Sequence, residues 1–369
     1  MKRLLTFVLA LACCTLALHA QAVSLQETQE DSVINVIAYY CKGDTMKYTY
    51  TDAVYKIAGT DTSTISYYTR DCMIVVTDST SKGYKMEFTP MAVKVDTTSS
   101  TETFETKLNL AILEAFDNIK IKFHTDVLGT IESVDNWREV RELFLKGTRK
   151  ALDKFYGDEP GIDSFMPRKR FENAIALSVS NEASVRRCIE ELPLLFDLHG
   201  NQVKLGVIDE TDSTSSIYPT HTKAIVTYME DEEGTKGDYE IYSSSITRIP
   251  PEAAAQLVST VFQSLFSGEL AEKGEAFLRD SLASYLNHDS MKVEQLEKYD
   301  FFINGWPARM QTMKSSGIPA HRKVEYKDIE WYYRVWKGYR MTDNDADKKE
   351  IWGGGLKPRP MGGGLCPCL

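Results

Sequence analysis

Residues able to do chemistry in this chain are plentiful, but few stand at spacings that chemistry needs. Ser79-Thr80-Ser81-Lys82 has the Ser-x-x-Lys spacing that sets a lysine beside a nucleophilic serine. That motif works at a helix start with companion motifs, and here it lies among turn-forming residues without them. Asp343, Asp345 and Asp347 occupy the first, third and fifth places of a calcium loop. Its sixth place, glycine in a working loop, is Lys348, and its twelfth, a bidentate glutamate, is Gly354. The acidic run Glu230-Asp231-Glu232-Glu233 reads as a solvated hairpin tip. His124, His199, His221, His288 and His321 include no pair four residues apart, so no helix carries the usual zinc ligands. Neither a Gly-x-Ser-x-Gly elbow nor a phosphate-cradling glycine loop occurs, and no pattern implies a cofactor or a resident metal. Hydrolysis by two carboxylates stays open, because it leaves little trace in a single sequence.

The best binding candidate is the aromatic run Ile329-Glu330-Trp331-Tyr332-Tyr333-Arg334-Val335-Trp336. Strand alternation places Trp331, Tyr333 and Val335 on one face and Tyr332, Arg334 and Trp336 on the other. Trp306, just past an Asn-Gly turn, is expected to join the first face. Trp306, Trp331 and Tyr333 are therefore the expected ligand-binding residues, as an aromatic platform for an apolar ligand or a sugar ring. Cys41 and Cys72 end neighbouring strand candidates and either pair as a disulfide or stay free in the core, whereas Cys188 falls at core spacing beside Val185 and Leu192. The terminal Cys366-Pro367-Cys368-Leu369 formally matches a prenylation box, a cytosolic modification at odds with the leader described below.

The elements that must position these residues read as α+β. Short Tyr-, Val- and Ile-rich runs at 32–40, 46–57, 64–76 and 84–88 are separated by Gly/Asp/Ser turns, the pattern of an antiparallel meander. A helix is expected over 104–116, then a hairpin over 119–131. Asn136 with Glu139 reads as a capping box that opens a helix, and a further helical stretch covers 170–199, broken near Pro193. Strands resume at 222–229 and 239–248, and helices follow over 250–266 and 275–286. Asn304-Gly305 joins the strands 299–303 and 306–313, and Val324 to Trp336 closes the sheet. With no regular strand–helix alternation, a largely antiparallel sheet with inserted helices packing on one face is expected, a curved half-barrel being one form of it.

The ends and the charge bound the compartment. Met1-Lys2-Arg3, an apolar run over 4–18 and Ala20-Gln21-Ala22 have the layout of a secretory signal peptide, too short to span a bilayer. Export to the periplasm or beyond is the expectation, with no transmembrane segment in the mature chain. Cys13 after Ala12 gives a minor alternative, a lipid anchor in the envelope. Among 369 residues the net charge is −10, which disfavours nucleic acid as a partner. The expected domains are a signal peptide (1–22), a flexible leader (23–31), an N-terminal α+β lobe (32–207), a polar linker (208–219), a C-terminal α+β lobe (220–340) and a Gly-rich tail (341–369). One continuous curved sheet fits the same pattern.

Lys42-Gly43-Asp44 after Tyr-rich strands, the stretch Gly129 to Trp137 before a helix, and Asn304-Gly305-Trp306-Pro307 resemble uncharacterised exported proteins of Bacteroides-type bacteria. The resemblance implies an envelope location and carries over no catalytic residues. In outline alone the chain is similar to periplasmic lipoprotein carriers, whose half-open barrels hold acyl chains beneath a helical lid. The function expected is a non-enzymatic envelope protein that binds a small apolar or amphipathic ligand. The alternatives are a structural or adhesive module that binds protein or glycan, and a carboxylate-based hydrolase.

Overall fold

The computed structural model describes residues 33–96, 104–158, 163, 167–212, 218–230, 236–250, 253–254, 291–318 and 321–337. Strands β1 (Val33–Asn35), β2 (Thr45–Ala58), β3 (Asp61–Thr80), β4 (Gly83–Pro90) and β5 (Lys94–Val95) come first. Helix α1 (Phe104–Ala115), strands β6 (Ile121–Thr125) and β7 (Ile131–Val134) and helix α2 (Trp137–Asp158) follow. Three shorter helices, α3 (Arg168–Ser178), α4 (Glu182–Arg187) and α5 (Glu191–Phe196), lead to β8 (Gln202–Lys204). The last strands are β9 (Gly206–Asp212), β10 (Thr220–Glu230), β11 (Lys236–Ile249), β12 (Met291–Phe301), β13 (Pro307–Ile318) and β14 (His321–Val335).

One antiparallel sheet in the order β7-β6-β4-β3-β2-β14-β13-β12-β11-β10-β9 takes in nearly all of these strands, and it does not close on itself. β2 pairs with β14 from Thr45↔Val335 to Ala58↔His321, so strands from the two halves of the sequence are hydrogen-bonded neighbours. A single sheet thus runs through both expected lobes. Residues 208–212, read from sequence as the start of a linker, belong to β9, whose partner β10 supplies the ladder bonds that a polar strand of low propensity lacks alone. Of the expected helix over 250–266 the described residues include a helical 253–254, while the expected helix over 275–286, the leader and the tail lie outside the described residues.

Alternation of burial along the strands shows which face is the core. Met46, Tyr48, Tyr50 and Asp52 of β2 and Tyr68, Arg70, Cys72, Ile74 and Val76 of β3 point to the inner face, beneath the helices. Helix α2 buries Val140, Leu145, Thr148, Ala151 and Leu152. Gly147 lets α1 cross close to it, because a Cβ there would meet the Ala111 carbonyl and Ile112 Cα. The helix begins at the expected residue by a different device. Asn136 Oδ1 accepts from Lys122 N (2.9 Å), and its Nδ2 donates to the Lys120 carbonyl (2.9 Å) and to Glu139 (3.0 Å), so the side chain ties the helix to β6. The helical stretch over 170–199 is three helices rather than one bent at Pro193. Asn181 starts α4 by accepting from Ser184 N (2.9 Å), while Pro193 sits in the first turn of α5, where its missing N–H costs nothing.

Residues 36–41 keep the alternation expected of a strand but have no strand beside them. Ile34, Val36, Ala38 and Tyr40 are buried, and the backbone bonds to loops instead: Val36 N to Asn201 O (3.0 Å), Ala38 N to Leu128 O (2.9 Å) and Tyr39 N to Asn304 O (3.0 Å). Tyr40 stacks on Trp306 with centroids 4.1 Å apart, and its hydroxyl lies 2.7 Å from His199 Nε2 and donates to Gly305 O (3.0 Å). His199 Nε2 is also 2.9 Å from Gly305 O; a carbonyl only accepts, so this nitrogen carries the ring proton. Burial holds the His199 pKa down to about 4, which leaves the ring neutral.

Gly305 has φ +81°, and a Cβ there would collide with the Ile37 carbonyl. Gly305→Ala is expected to cost about 2–4 kcal/mol in chemical denaturation, from strain plus overpacking. Gly59→Ala, at φ +65° with open space around it, is expected to cost only about 1 kcal/mol.

Candidate functional site

The inner face of the sheet changes character within one step of alternation. Val226, Ile241, Tyr299, Met310, Ile329 and Tyr50 stand in register across six strands, and all are buried. Two residues along, the next row reads Ala224, Ser243, Glu297, Thr312, Lys327, Asp52 and, on β3, Tyr68. An apolar, covered row therefore adjoins a charged one, and the N-terminal end of α5 meets the charged row at β2, β3 and β14.

Two carboxylates share one hydroxyl there. Tyr50 Oη lies 3.3 Å from Asp52 Oδ2 and 3.1 Å from Glu190 Oε2, and its single proton serves one of them at a time. Tyr68 donates to Asp52 Oδ2 (2.7 Å), and Lys327 Nζ pairs with Glu190 Oε2 (2.8 Å). Asp52 is 6% exposed, at the floor. Protein crowds Glu190 and Lys327 closely, yet 43% and 28% of their side chains reach water, so they line an open recess rather than a core. Beside it Arg70 Nε donates to Glu191 Oε1 (2.5 Å), and Nη2 bonds the same oxygen. Both side chains are buried, and Arg70 Nη1 and Glu191 Oε2 have no partner among the described residues.

The environment splits the two carboxylates. Burial raises the Asp52 pKa to about 6; Lys327 opposes this, and Glu190 adds to it by like-charge repulsion. Crowding works most strongly on Glu190 and raises it, but the Lys327 ammonium, the Tyr50 hydroxyl and the Arg70 guanidinium together outweigh it and hold that carboxyl below its ordinary range. Lys327 is desolvated, yet Glu190 and Asp52 keep its pKa above the usual lysine value. The result is one carboxyl that keeps its proton up to about pH 6, one ionised carboxylate and one ammonium, all around the same opening. No strong sequence motif marks these residues. The available signal was parity: Asp52, Arg70 and Lys327 put charge at positions whose neighbours two residues away, Tyr50, Cys72 and Ile329, are buried.

The expected ligand residues are dispersed. Trp306 is fully buried against Tyr40 and presents no surface to a ligand. A β-bulge between Trp331 and Tyr333 corrects the expected alternation, because Tyr332 is an extra residue without a cross-strand partner. Trp331 thus stays opposite Tyr48 on the inner face, while Tyr333 pairs with Lys47, turns to the outer face and is 46% exposed under the Lys47 ammonium. The chain already fills the Trp331 surface. The Arg334 guanidinium lies over the rings of Phe302, Trp331 and Trp336, 4.6, 4.7 and 4.3 Å from their centroids. Of the two readings of Cys41 and Cys72 the disulfide does not form: Cys72 is a free buried thiol whose pKa burial pushes up, and Cys41 is disulfide-bonded elsewhere. The reason is register, since Cys72 faces Tyr48 across β2 and β3 and Cys41 lies beyond the start of β2.

Two further constellations dissolve on geometry. Ser79 Oγ donates to the Tyr40 carbonyl (3.1 Å) and is a structural tie. Ser133 and Asp135 both lie against His124 Nδ1 (3.3 and 2.6 Å), so no base nitrogen is left between hydroxyl and carboxylate as a triad requires. Among the described residues no His/Cys/Asp/Glu group fits a metal ion, and no helix is long and apolar enough to cross a membrane. The acidic run at 343–347 and the C-terminal cysteines lie outside the described residues.

No protein-family profile matches the chain, and no curated protein matches it. Among solved structures, one concerned with lipid–protein interactions in lipovitellin is similar over 80% of this chain, with 6% identity and a TM-score of 0.37. The chain spans 26% of that lipovitellin chain. An outer membrane channel from Pseudomonas putida F1 aligns over 83% of this chain and 100% of its own, with 6% identity and a TM-score of 0.12. Likenesses this low carry no argument about fold or function.

The raised Asp52 pKa has a defined sign for stability. Between about pH 4, where a free aspartate titrates, and about pH 6 the folded chain binds more protons than the unfolded one. The contribution of Asp52 is therefore full below that window, is lost as pH rises through it, and is flat above. The stability of wild type relative to Asp52→Asn, from urea midpoints, is expected to be greater at about pH 4 than at about pH 7. Arg70→Ala, which strands buried Glu191, is expected to cost about 3–5 kcal/mol in the same assay, and Arg70→Met combined with Glu191→Leu to recover most of that.

Proposed function

We propose that this chain is an exported, non-enzymatic envelope protein that holds a small amphipathic ligand, with the polar end of the ligand in the recess of Asp52, Glu190 and Lys327. The observation that carries this reading is the change across the inner face from a closed apolar row to a half-open charged one beside α5. Of the two ligand types that suit a sheet under helices, a wholly apolar one is disfavoured. It would strip water from Lys327, Glu190 and Glu297 and return no hydrogen bond. A head group with donors and acceptors replaces that water. The N-terminal leader supports export.

A second reading has its own observation. Tyr332 and Tyr333 stand exposed next to the bulge in β14, with Lys47 over the Tyr333 ring, a surface suited to a glycan or a protein partner in an adhesive module. The hydrolase alternative draws on Asp52 and Glu190, but Lys327 already neutralises the more accessible of that pair.

Native mass spectrometry of protein purified from its own envelope fraction, followed by organic extraction, tests the first reading. A bound amphipathic mass is expected, and Lys327→Met should lose most of it while circular dichroism stays unchanged. A clean apo mass, with loss of glycan binding in Tyr333→Ala, would replace it with the adhesive reading.

A further inference from the structure

We propose that Asp52 is a proton-operated latch for this recess: neutral, it leaves Lys327 and Tyr50 to clamp Glu190 and the start of α5 onto the sheet; ionised, it takes Lys327 for itself and frees Glu190. The inference rests on the recess being the binding site proposed above and adds how that site is opened.

Three geometric facts carry it. First, Lys327 has two carboxylates in reach. It pairs with Glu190 (2.8 Å), but its direct cross-strand neighbour is Asp52. Side chains opposite each other on antiparallel strands start only about 5 Å apart at Cβ, so Lys327 changes partner by rotating its own bonds. Second, Tyr50 has one proton for the same two carboxylates. Third, Asp52 is almost wholly buried, and Tyr68 already donates (2.7 Å) to the same Oδ2 that Tyr50 approaches.

Every described element around Asp52 contributes to the balance. β2 supplies Tyr50, β3 supplies Tyr68 and Arg70, β14 supplies Lys327 and Glu325, and the helical layer supplies Glu190 and Glu191. Glu325 is matched by Lys323 (2.9 Å), and Glu191 by Arg70. With Asp52 protonated, Glu190 and Lys327 complete a neutral set. With Asp52 ionised, the set holds one buried negative charge too many, and the repulsion falls on Glu190, the carboxylate most open to water. Glu190 is also the cheapest to release, since it immediately precedes α5. The elevated pKa of Asp52 puts the changeover near pH 6. The recess is therefore closed on the acid side and open towards neutrality, the reverse of a switch that loosens on acidification.

Hydrogen–deuterium exchange of the full chain tests this without any ligand. After correction for the intrinsic pH dependence of exchange, amides over 188–196 should be about tenfold less protected at about pH 7.5 than at about pH 5, the equivalent of one pKa unit. Asp52→Asn should remain protected at both pH values. Glu190→Gln, which keeps the fold if Asp52→Asn does not, should likewise lose the pH response. Equal corrected exchange in the wild type at the two pH values overturns the latch, and so does a response that survives in both variants. Extraction reports separately on the ligand: an apo mass with the pH response intact removes the binding reading and leaves the latch, and a bound mass with no response does the reverse.

Discussion

Tyr40 is the contact on which the assembly of this fold turns. Its ring stacks on Trp306, at the tip of the β12–β13 hairpin, and its hydroxyl joins His199, at the end of the helical layer, and the Gly305 carbonyl. The tyrosine itself belongs to the extended segment that crosses the inside of the molecule before β2. Three parts of the chain remote in sequence are thus fixed to one another by one side chain that is wholly buried and has its polar atom satisfied. Around it Tyr48 donates to the Pro307 carbonyl (3.0 Å) and Tyr84 to the Ala38 carbonyl (3.0 Å), so tyrosine hydroxyls supply bonds that a missing strand would otherwise make. This explains why a Tyr-rich sequence suits the interior: each ring adds apolar area, and the Tyr40, Tyr48 and Tyr84 hydroxyls each bond a backbone carbonyl.

With that corner fixed, the N-terminal end of α5 arrives over β2, β3 and β14. The sheet meets it with charge rather than with apolar surface. Arg70 and Glu191 form a pair with almost no water, whose attraction offsets a large desolvation cost only because both partners are present. One residue earlier, Glu190 faces the open side. The same short stretch of chain therefore anchors the helix through one glutamate and exposes a titratable group through the other. Stability and responsiveness are separated by a single peptide unit.

The strands and turns were legible because their signals are local. Alternation in β2, β3, β4 and β6, the Asn304-Gly305 turn and the start of α2 at Trp137 all fall where nearest-neighbour rules put them. The aromatic strand was legible as a strand but not as a surface. A single bulge at Tyr332 separates Trp331 from Tyr333, and nothing in the run itself announces an extra residue, since bulges answer to the partner strand. Trp306 and Cys72 failed for a related reason. A tryptophan after a turn or a cysteine in a strand looks the same from sequence whether its neighbours cover it or leave it open. The recess was the least legible feature, because Asp52, Glu190 and Lys327 come from three separated segments and only their convergence gives them meaning.

The sequence by itself determined the period of each element, the punctuation between elements, the polar and apolar assignment along each strand, and the absence of familiar catalytic spacings. These depend on interactions within a few residues, and the chain carries them at every point. Tertiary structure alone decided that the two halves share a sheet, that β2 and β14 are neighbours, that Cys72 stays free, and that two carboxylates meet over one tyrosine hydroxyl. Those outcomes depend on pairings between segments as far apart as Thr45 and Val335, where many registers satisfy the same alternation. Packing selects one register, and with it which charges are buried together and which remain open to water.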